Sequence, residues 1–426
     1  MHDEKYLKRL FQAYYKEKIS DLSLVDLFEH REFGFIPWEK QIMLRHIGFN
    51  SALNLRNHFI RNTPKHAYVS ASLYNQPENQ DMQGKGYQGC DLIFDIDVDH
   101  FYTPCKEDHD IWYCNECEEN GRGMVNKCPK CGKLKLKRLT WICNDCLDIA
   151  KNEIIKLIYT FLIPDFNMDI KKMKITFSGH RGYHLKTEDE KLRALSSEER
   201  REIVDYVTGE NISFEILGLQ EKGGNIFGFS KETIGWSRKI IEKIKEILKK
   251  PNLEIESVLT DRRKYNLSQN LVENFLNFKD NFLNIIESNN INNWTLVGFS
   301  LMAWNKFLRR LVTEIGIEVD IPVTIDTHRL IRYPGSLHGS TGFKVQEIFH
   351  DDIDVFKPLD ESNEILDPIV FKSEKIINQK IEIIEPLVPL TKIKGESWGP
   401  YKQGEKIVVP HHIAVFLLCK GVAKTI

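Results

Sequence analysis

Three short stretches carry residue types that could do chemistry together. The first is CDLIFDIDVDHF, residues 90–101, where an apolar run meets aspartates at alternate positions. Side chains of a strand alternate between its two faces. Phe94, Ile96 and Val98 then share one face, and Asp95, Asp97 and Asp99 the other, with Asp91 on the acidic side by parity. Carboxylates two residues apart lie roughly 7 Å from each other in an extended chain. Such a pair suits hard divalent cations, which prefer oxygen ligands; without a cation the carboxylates repel and resist burial. The plain alternative is a half-exposed strand with a solvated acidic face, although strands are depleted in Asp.

The second stretch is SGHRGYHL, residues 178–185. Ser178, His180, Arg181 and His184 are polar donors, while Gly179 and Gly182 permit a tight turn with exposed backbone N–H groups. That is a phosphate cradle in composition; an ordinary hairpin turn would explain the glycines but not the four donors. The third stretch, DIPVTIDTHRLIRYPGSLHGSTGFKV at 320–345, adds Asp320 or Asp326 as a third carboxylate. It also adds Arg329, Arg332, His338 and Lys344 as candidate phosphate contacts. Three carboxylates and several phosphate donors are the equipment of metal-assisted nucleotidyl transfer.

Cysteine supplies a separate signal. Of nine cysteines, Cys105, Cys114, Cys117, Cys128, Cys131, Cys143 and Cys146 fall within one short segment. Cys114-x2-Cys117 and Cys128-x2-Cys131 have zinc-ribbon spacing, since paired cysteines on tight turns supply tetrahedral ligands. Cys105, His109, Cys143 and Cys146 remain as a second set of four. Spacing alone leaves open another ligand swap, a single occupied site or an iron–sulfur cluster. With every ligand supplied by protein, a structural role is expected. The Lys/Arg-rich run KCPKCGKLKLKR is either a contact to nucleic-acid backbone or a solvated basic hairpin.

These segments need elements to position them. Residues 4–18 have helical spacing, 66–74 read as extended, and 91–98 as a buried strand. The apolar positions from Leu147 to Leu162 predict a long amphipathic helix ending near Pro164. KMKITF (172–177) predicts a strand, with 183–186 as its return. From about 190 to 318 the pattern is helical: Ser196 with Glu199 makes a capping box, Gly209 a stop, and the spans 236–250, 270–288 and 294–315 are amphipathic. Strand-and-turn character returns at 317–348, and the last 40 residues read as a Pro-spaced linker with an apolar end.

Bulk properties bound the rest. A chain of 426 residues is too long for one core. Its net charge of −2 excludes a uniformly basic duplex-coating protein, so nucleic-acid contacts must be local. The segment MHDEKYLKRL lacks the apolar core of a secretory signal, and no uninterrupted apolar run is long enough for a membrane span. The expectation is an intracellular protein without a membrane anchor.

The ordered motifs DLIFDID, SGHRGYH and DIPVT…RLIRYPGSLHG, with REFGF (31–35) and LRHIGF (44–49), resemble the catalytic (small) subunit of archaeal and eukaryotic DNA primase over most of the chain. The resemblance implies an α+β fold: a mixed α/β primase core with an inserted zinc module and a helical insertion. Core segments would be 1–104, 147–190 and 317–380, the zinc module 105–146, the helical insertion 191–316 and a C-terminal tail 381–426. It implies Asp95, Asp97 and Asp320 as ligands of catalytic Mg2+ or Mn2+; Asp320 is preferred to Asp326 because it stands 18 residues before His338, as in the family motif. Ser178, Gly179, His180, Arg181, His184, Arg332 and His338 would bind nucleotide, with Arg45 a further candidate. Cys105, His109, Cys143 and Cys146 resemble the family's zinc knuckle, so two structural Zn2+ are expected, the ribbon inserted within the knuckle. Ser340 departs from the lysine common there in archaeal relatives. The implied activity is template-directed synthesis of short RNA or DNA primers from nucleoside triphosphates on single-stranded DNA, with a primase large subunit as partner, in an archaeal-like cytoplasm. A repair or mobile-element primase-polymerase shares the core motifs. A glycosyltransferase would explain only the acidic pair, and a non-enzymatic zinc-ribbon nucleic-acid binder only the cysteines.

Overall fold

The computed structural model describes residues 2–229, 234–261, 264–287, 292–372 and 377–426. The chain forms two compact units. One gathers Met1–Ile158, Asp169–Arg201 and Glu318–Ile426; the other consists of Tyr159–Met168 and Glu202–Ile317. The fold is mixed α+β, as expected.

Two antiparallel four-stranded sheets organise the first unit. One has the order Leu330–Arg332, His66–Ser70, Phe33–Ile36, Leu44–Ile47. The other has the order Gln346–Ile348, Met173–Phe177, Gly182–Thr187, Leu92–Asp97. The strand–turn–strand reading of 172–186 is therefore a hairpin at the centre of the second sheet. The helix Asn144–Lys156 packs on this sheet through Leu147, Ala150 and Ile154. The predicted helix does not run unbroken to Pro164: after Lys156 the chain winds into a wider π turn over Leu157–Leu162. The cysteine-rich segment forms a small three-stranded sheet of Asn120–Arg122, Ile111–Cys114 and Leu136–Leu139.

The expected C-terminal tail is folded instead. Asn378–Ile383 is the middle strand between Lys406–Pro410 and Ala423–Thr425. Pro386, Pro389 and Pro400 fall between short strands, where a missing N–H costs nothing, rather than along an extended linker. The apolar end is the helix His411–Cys419, with Ile413 to Leu418 all buried.

The second unit is mainly helical: Trp236–Leu248, Asn252–Thr260, Gln269–Glu287 and Leu301–Ile315, with one hairpin, Gln220–Lys222 and Asn225–Phe227. Its core is aromatic, centred on Trp294, Trp304, Phe275, Phe282 and Phe307. The capping box forms as predicted: Ser196 N donates to Glu199 Oε2 at 2.7 Å and Glu199 N to Ser196 Oγ at 3.2 Å. The span 294–315 becomes helical only at Leu301, because Ser300 caps it, accepting from Ala303 N. Residue 288, the end of the span 270–288, lies outside the described residues. So do residue 1, residues 230–233, 262, 263 and 289–291 of the expected insertion, and residues 373–376 of the expected third core segment.

Candidate active site

The strand Leu92–Asp97 behaves as its alternation predicts. Phe94 and Ile96 are fully buried, while Asp95 and Asp97 look the other way and are half-buried. Pairing with the central hairpin sets the register: Asp95 lies opposite His184 and Asp97 opposite Gly182. Asp95 Oδ1 stands 3.3 Å from His184 Nε2. The close approach needs glycine, since a Cβ on Gly182 would fall 2.5 Å from Ile96 O. Parity fails at both ends of the stretch. The strand stops at Asp97, whose Oδ1 accepts from Asp99 N at 2.9 Å and turns the chain into a 3-10 turn. Asp91 precedes the strand and is buried in ion pairs with Arg31 and Arg193, both at 2.7 Å.

The loop after Met173–Phe177 folds over Ser178, whose Oγ accepts from His180 N and Gly182 N, each at 3.3 Å. Gly179 has φ +80°, and a Cβ there would sit 2.7 Å from His338 Cβ. The first and third motifs also meet here. Asp320 N donates to Asp95 O at 2.8 Å, which anchors the third aspartate beside the strand. Arg332 ends the strand Leu330–Arg332, stacks over Tyr68 at 4.6 Å and donates to His66 Nδ1 at 2.6 Å. Gly339 N donates to the same nitrogen at 3.2 Å. His338 meets the His66 ring edge-on and stacks on His180.

A cavity of about 530 Å³ opens over these groups. Asp95, Asp97, Asp99, Ser178, His180, His184, Arg329, Arg332 and His338 line it, so nine candidate residues from three distant segments share one space. Asp320 is not in its wall; its carboxylate turns to His100 Nε2 at 3.4 Å. The acidic-site grouping whose donor atoms lie within 4.8 Å of one another is Asp97, Asp99 and His180, not Asp95, Asp97 and Asp320. Arg181 is also elsewhere. Its guanidinium is 1% exposed and donates to Asp110 at 2.9 and 3.0 Å and to Trp141 O at 3.0 Å, with Asp99 as a further ion-pair partner. Arg45 pairs with Glu32 at 2.9 Å.

Electrostatics follow from this packing. Burial works against ionising Asp95, but the adjacent His184 ring outweighs it and holds the carboxyl below its usual range. Asp97 is raised, by burial first and then by the Asp95 charge. Two carboxylates pushed apart in this way are relieved by a shared cation, which the oxygen donors suit. Burial, with Arg332 beside it, pulls His66 down to about 2, and His180 and His338 are likewise held far below the usual histidine range by burial and nearby cations. These rings are neutral. Lys420 is brought to about 7, by burial and then by Arg181.

Sequence reasoning missed His66, Tyr68 and Lys420. The alternation of HAYVS carried a usable signal for the first two, which share one strand face with a basic residue opposite. Lys420 carried none; only folding brings it here.

The cysteines form two separate sets, each with ligand atoms within 4.8 Å of one another: Cys105, His109, Cys143 and Cys146, and Cys114, Cys117, Cys128 and Cys131. Sulfur–sulfur separations are 3.2 Å for Cys105–Cys146, 3.5 Å for Cys114–Cys131 and 3.6 Å for Cys117–Cys128. A tetrahedron with metal–sulfur bonds of about 2.3 Å has edges of about 3.8 Å, so both sets have the dimensions of a four-ligand metal site. No cysteine is disulfide-bonded. In the first set His109 presents Nε2 to the sulfurs and hydrogen-bonds Asp110 Oδ1 through Nδ1 at 2.9 Å, a carboxylate–histidine arrangement typical of metal sites. Asp110 thus joins the knuckle to Arg181 and the loop 178–184.

A mixed α+β chain with paired strand aspartates facing a donor-lined cavity, beside a cysteine–histidine knuckle, is the frame of a primase-type protein. The family model for the DNA primase small subunit matches residues 137–349. The chain belongs to the DNA primase small subunit family. It is 30% identical to the DNA primase small subunit PriS of Methanocella arvoryzae, over 98% of this chain and 97% of that one. It is 31% identical to the PriS proteins of Archaeoglobus fulgidus and Haloarcula marismortui, again over 98% of this chain and 97% of each relative.

Proposed function

We propose that the chain is the catalytic subunit of a replicative primase, joining nucleoside triphosphates on a single-stranded DNA template into short primers. The observation that carries this reading is the register across the central hairpin: it sets Asp95 against His184 and Asp97 against Gly182, at the mouth of a cavity that also holds Ser178, Arg332 and His338. Asp95, Asp97 and, after rotation of its side chain, Asp320 would hold Mg2+ or Mn2+. A divalent cation there would supply activation of the attacking 3′-hydroxyl and charge neutralisation at the leaving pyrophosphate. Ser178, the N–H groups around Gly179, His180, His184, Arg332 and His338 bind and orient the triphosphate. His180 and His338, held neutral by burial and nearby cations, would donate hydrogen bonds without adding charge. Arg181 acts one layer back, fixing the loop through Asp110 and Asp99.

The two cysteine sets hold one structural Zn2+ each. The partners are template, nucleoside triphosphates and a primase large subunit, in the cytoplasm. No described helix is long and apolar enough to cross a membrane.

Primer synthesis on single-stranded DNA with labelled nucleotides and Mg2+ or Mn2+ tests the reading. Asp95→Ala with Asp97→Ala should abolish product while zinc stays at two per chain; a fully active double variant would sink the mechanism. Cys131→Ser should lower zinc to one per chain. Clearly fewer than two zinc in the unmutated protein would overturn the two-site assignment.

A further inference from the structure

Lys420 brings a cation to the cavity from an element far from all three motifs. It follows the buried helix His411–Cys419. Its Nζ donates to Thr140 O at 2.5 Å and lies 3.2 Å from His180 Nε2, and all three residues line the cavity. Among the described residues no carboxylate lies within 4.0 Å of this ammonium group, whereas the buried lysines Lys85 and Lys186 pair with Glu32 and Glu188 at 2.8 and 2.6 Å. A row of nitrogen donors results: Lys420 touches His180, His180 stacks on His338, and His338 meets His66, which accepts from Arg332. Arg332 and the Lys420 amine thus bracket neutral imidazoles along one wall, and an anion seated between them would favour the charged form of the amine. That spacing of charge fits an anion with several oxygens along its length better than a single phosphodiester. Lys344, the sequence's own candidate for an extra cation, points elsewhere: its Nζ donates to Ile365 O at 3.3 Å and it borders other cavities.

We propose that Lys420 binds the polyphosphate of the incoming nucleotide, making the last helix part of the nucleotide site. This rests on the nucleotidyl-transfer reading above. The test uses the full chain, with single-nucleotide extension of a primer–template and competition by inorganic tripolyphosphate. Lys420→Met should raise the nucleotide KM about tenfold or more, the loss expected for one charged hydrogen bond, with a smaller fall in kcat. It should weaken tripolyphosphate inhibition in parallel and leave the primer–template KM unchanged. Lys420→Arg should recover most of the nucleotide affinity. Equal zinc content and melting temperature show that the variant is folded. An unchanged nucleotide KM and tripolyphosphate inhibition, or a rise confined to the primer–template KM, overturns the role of Lys420 alone. If the unmutated chain neither extends primers nor binds tripolyphosphate, the nucleotidyl-transfer reading fails and the role of Lys420 with it.

Discussion

Replacing Asp110 with alanine should destabilise the first unit by about 3 kcal/mol and loosen the loop 178–184, although Asp110 is outside the motifs. Its carboxylate accepts two hydrogen bonds from Arg181, at 2.9 and 3.0 Å, and one from Trp141 N at 2.9 Å, and it meets His109 Nδ1 at 2.9 Å. Arg181 is 1% exposed, so its charge has no route to water. Removing one partner of a buried ion pair costs about 3–5 kcal/mol because the other charge is left uncompensated. Asp99 and Trp141 O remain as partners, and the Asp99 side chain is 37% exposed, which places the expectation at the lower end. In urea, unfolding followed by tryptophan fluorescence should show a midpoint lower by about 1 M, for a slope of about 3 kcal/mol per molar. Zinc affinity should fall by about 10- to 100-fold, since His109 loses the group that orients it. Adding Arg181→Met to Asp110→Ala should restore part of the stability by removing the stranded charge. A loss under about 1 kcal/mol, or a double variant no better than Asp110→Ala, would refute the claim that Arg181 depends on this carboxylate.

Two further outcomes follow from the same geometry. Gly182→Ala would push a Cβ to 2.5 Å from Ile96 O and 2.9 Å from Asp97 Cα, so the ladder beneath the aspartates must open; primer synthesis should fall about 100-fold with zinc content unchanged, and retained activity would argue against the register mattering. His66 and His338 are held neutral by burial and neighbouring cations, with folded-state affinities for protons far below that of an exposed histidine. The unfolded chain therefore binds protons that the folded one does not, so this stability is present above about pH 6.5 and is lost as pH falls below it, by up to about 1.4 kcal/mol per pH unit for each ring. Denaturation midpoints at pH 7.5 and 5.5 measure this, and His66→Gln should flatten the dependence; a pH-independent midpoint refutes it.

What the sequence disclosed depended on the range of the interaction. The aspartate strand, the hairpin around SGHRGYHL and the capping box are local patterns, and each formed near its expected bounds. Asp99 does reach the acidic cavity, but from a 3-10 turn rather than by strand alternation, because the Asp97 side chain ends the strand. Arg181 looked like its neighbours Ser178 and His184 because a donor's type does not say whether its acceptor is a ligand or a carboxylate 71 residues away. The aspartate triad is legible only as backbone: Asp320 docks on Asp95, but its carboxylate follows His100. The C-terminal segment was unreadable as structure because its strands are short and pair with one another across intervening turns, which no local alternation announces.

That last arrangement bears on the order in which the molecule can be assembled. Asp3, in the helix His2–Glu17, accepts from Thr425 N at 2.9 Å, and Asn378–Ile383 finds both its strand partners only in later residues. During synthesis the mainly helical unit, nearly all within 202–317, has its contacts before the first unit has its own. The aspartate strand must wait, its sheet incomplete until Gln346–Ile348 and its cavity open on one side until Lys420 has emerged. Closure of the first unit is thus tied to the passage of almost the whole chain, and a product cut short before residue 411 carries the three motifs without the wall that completes them.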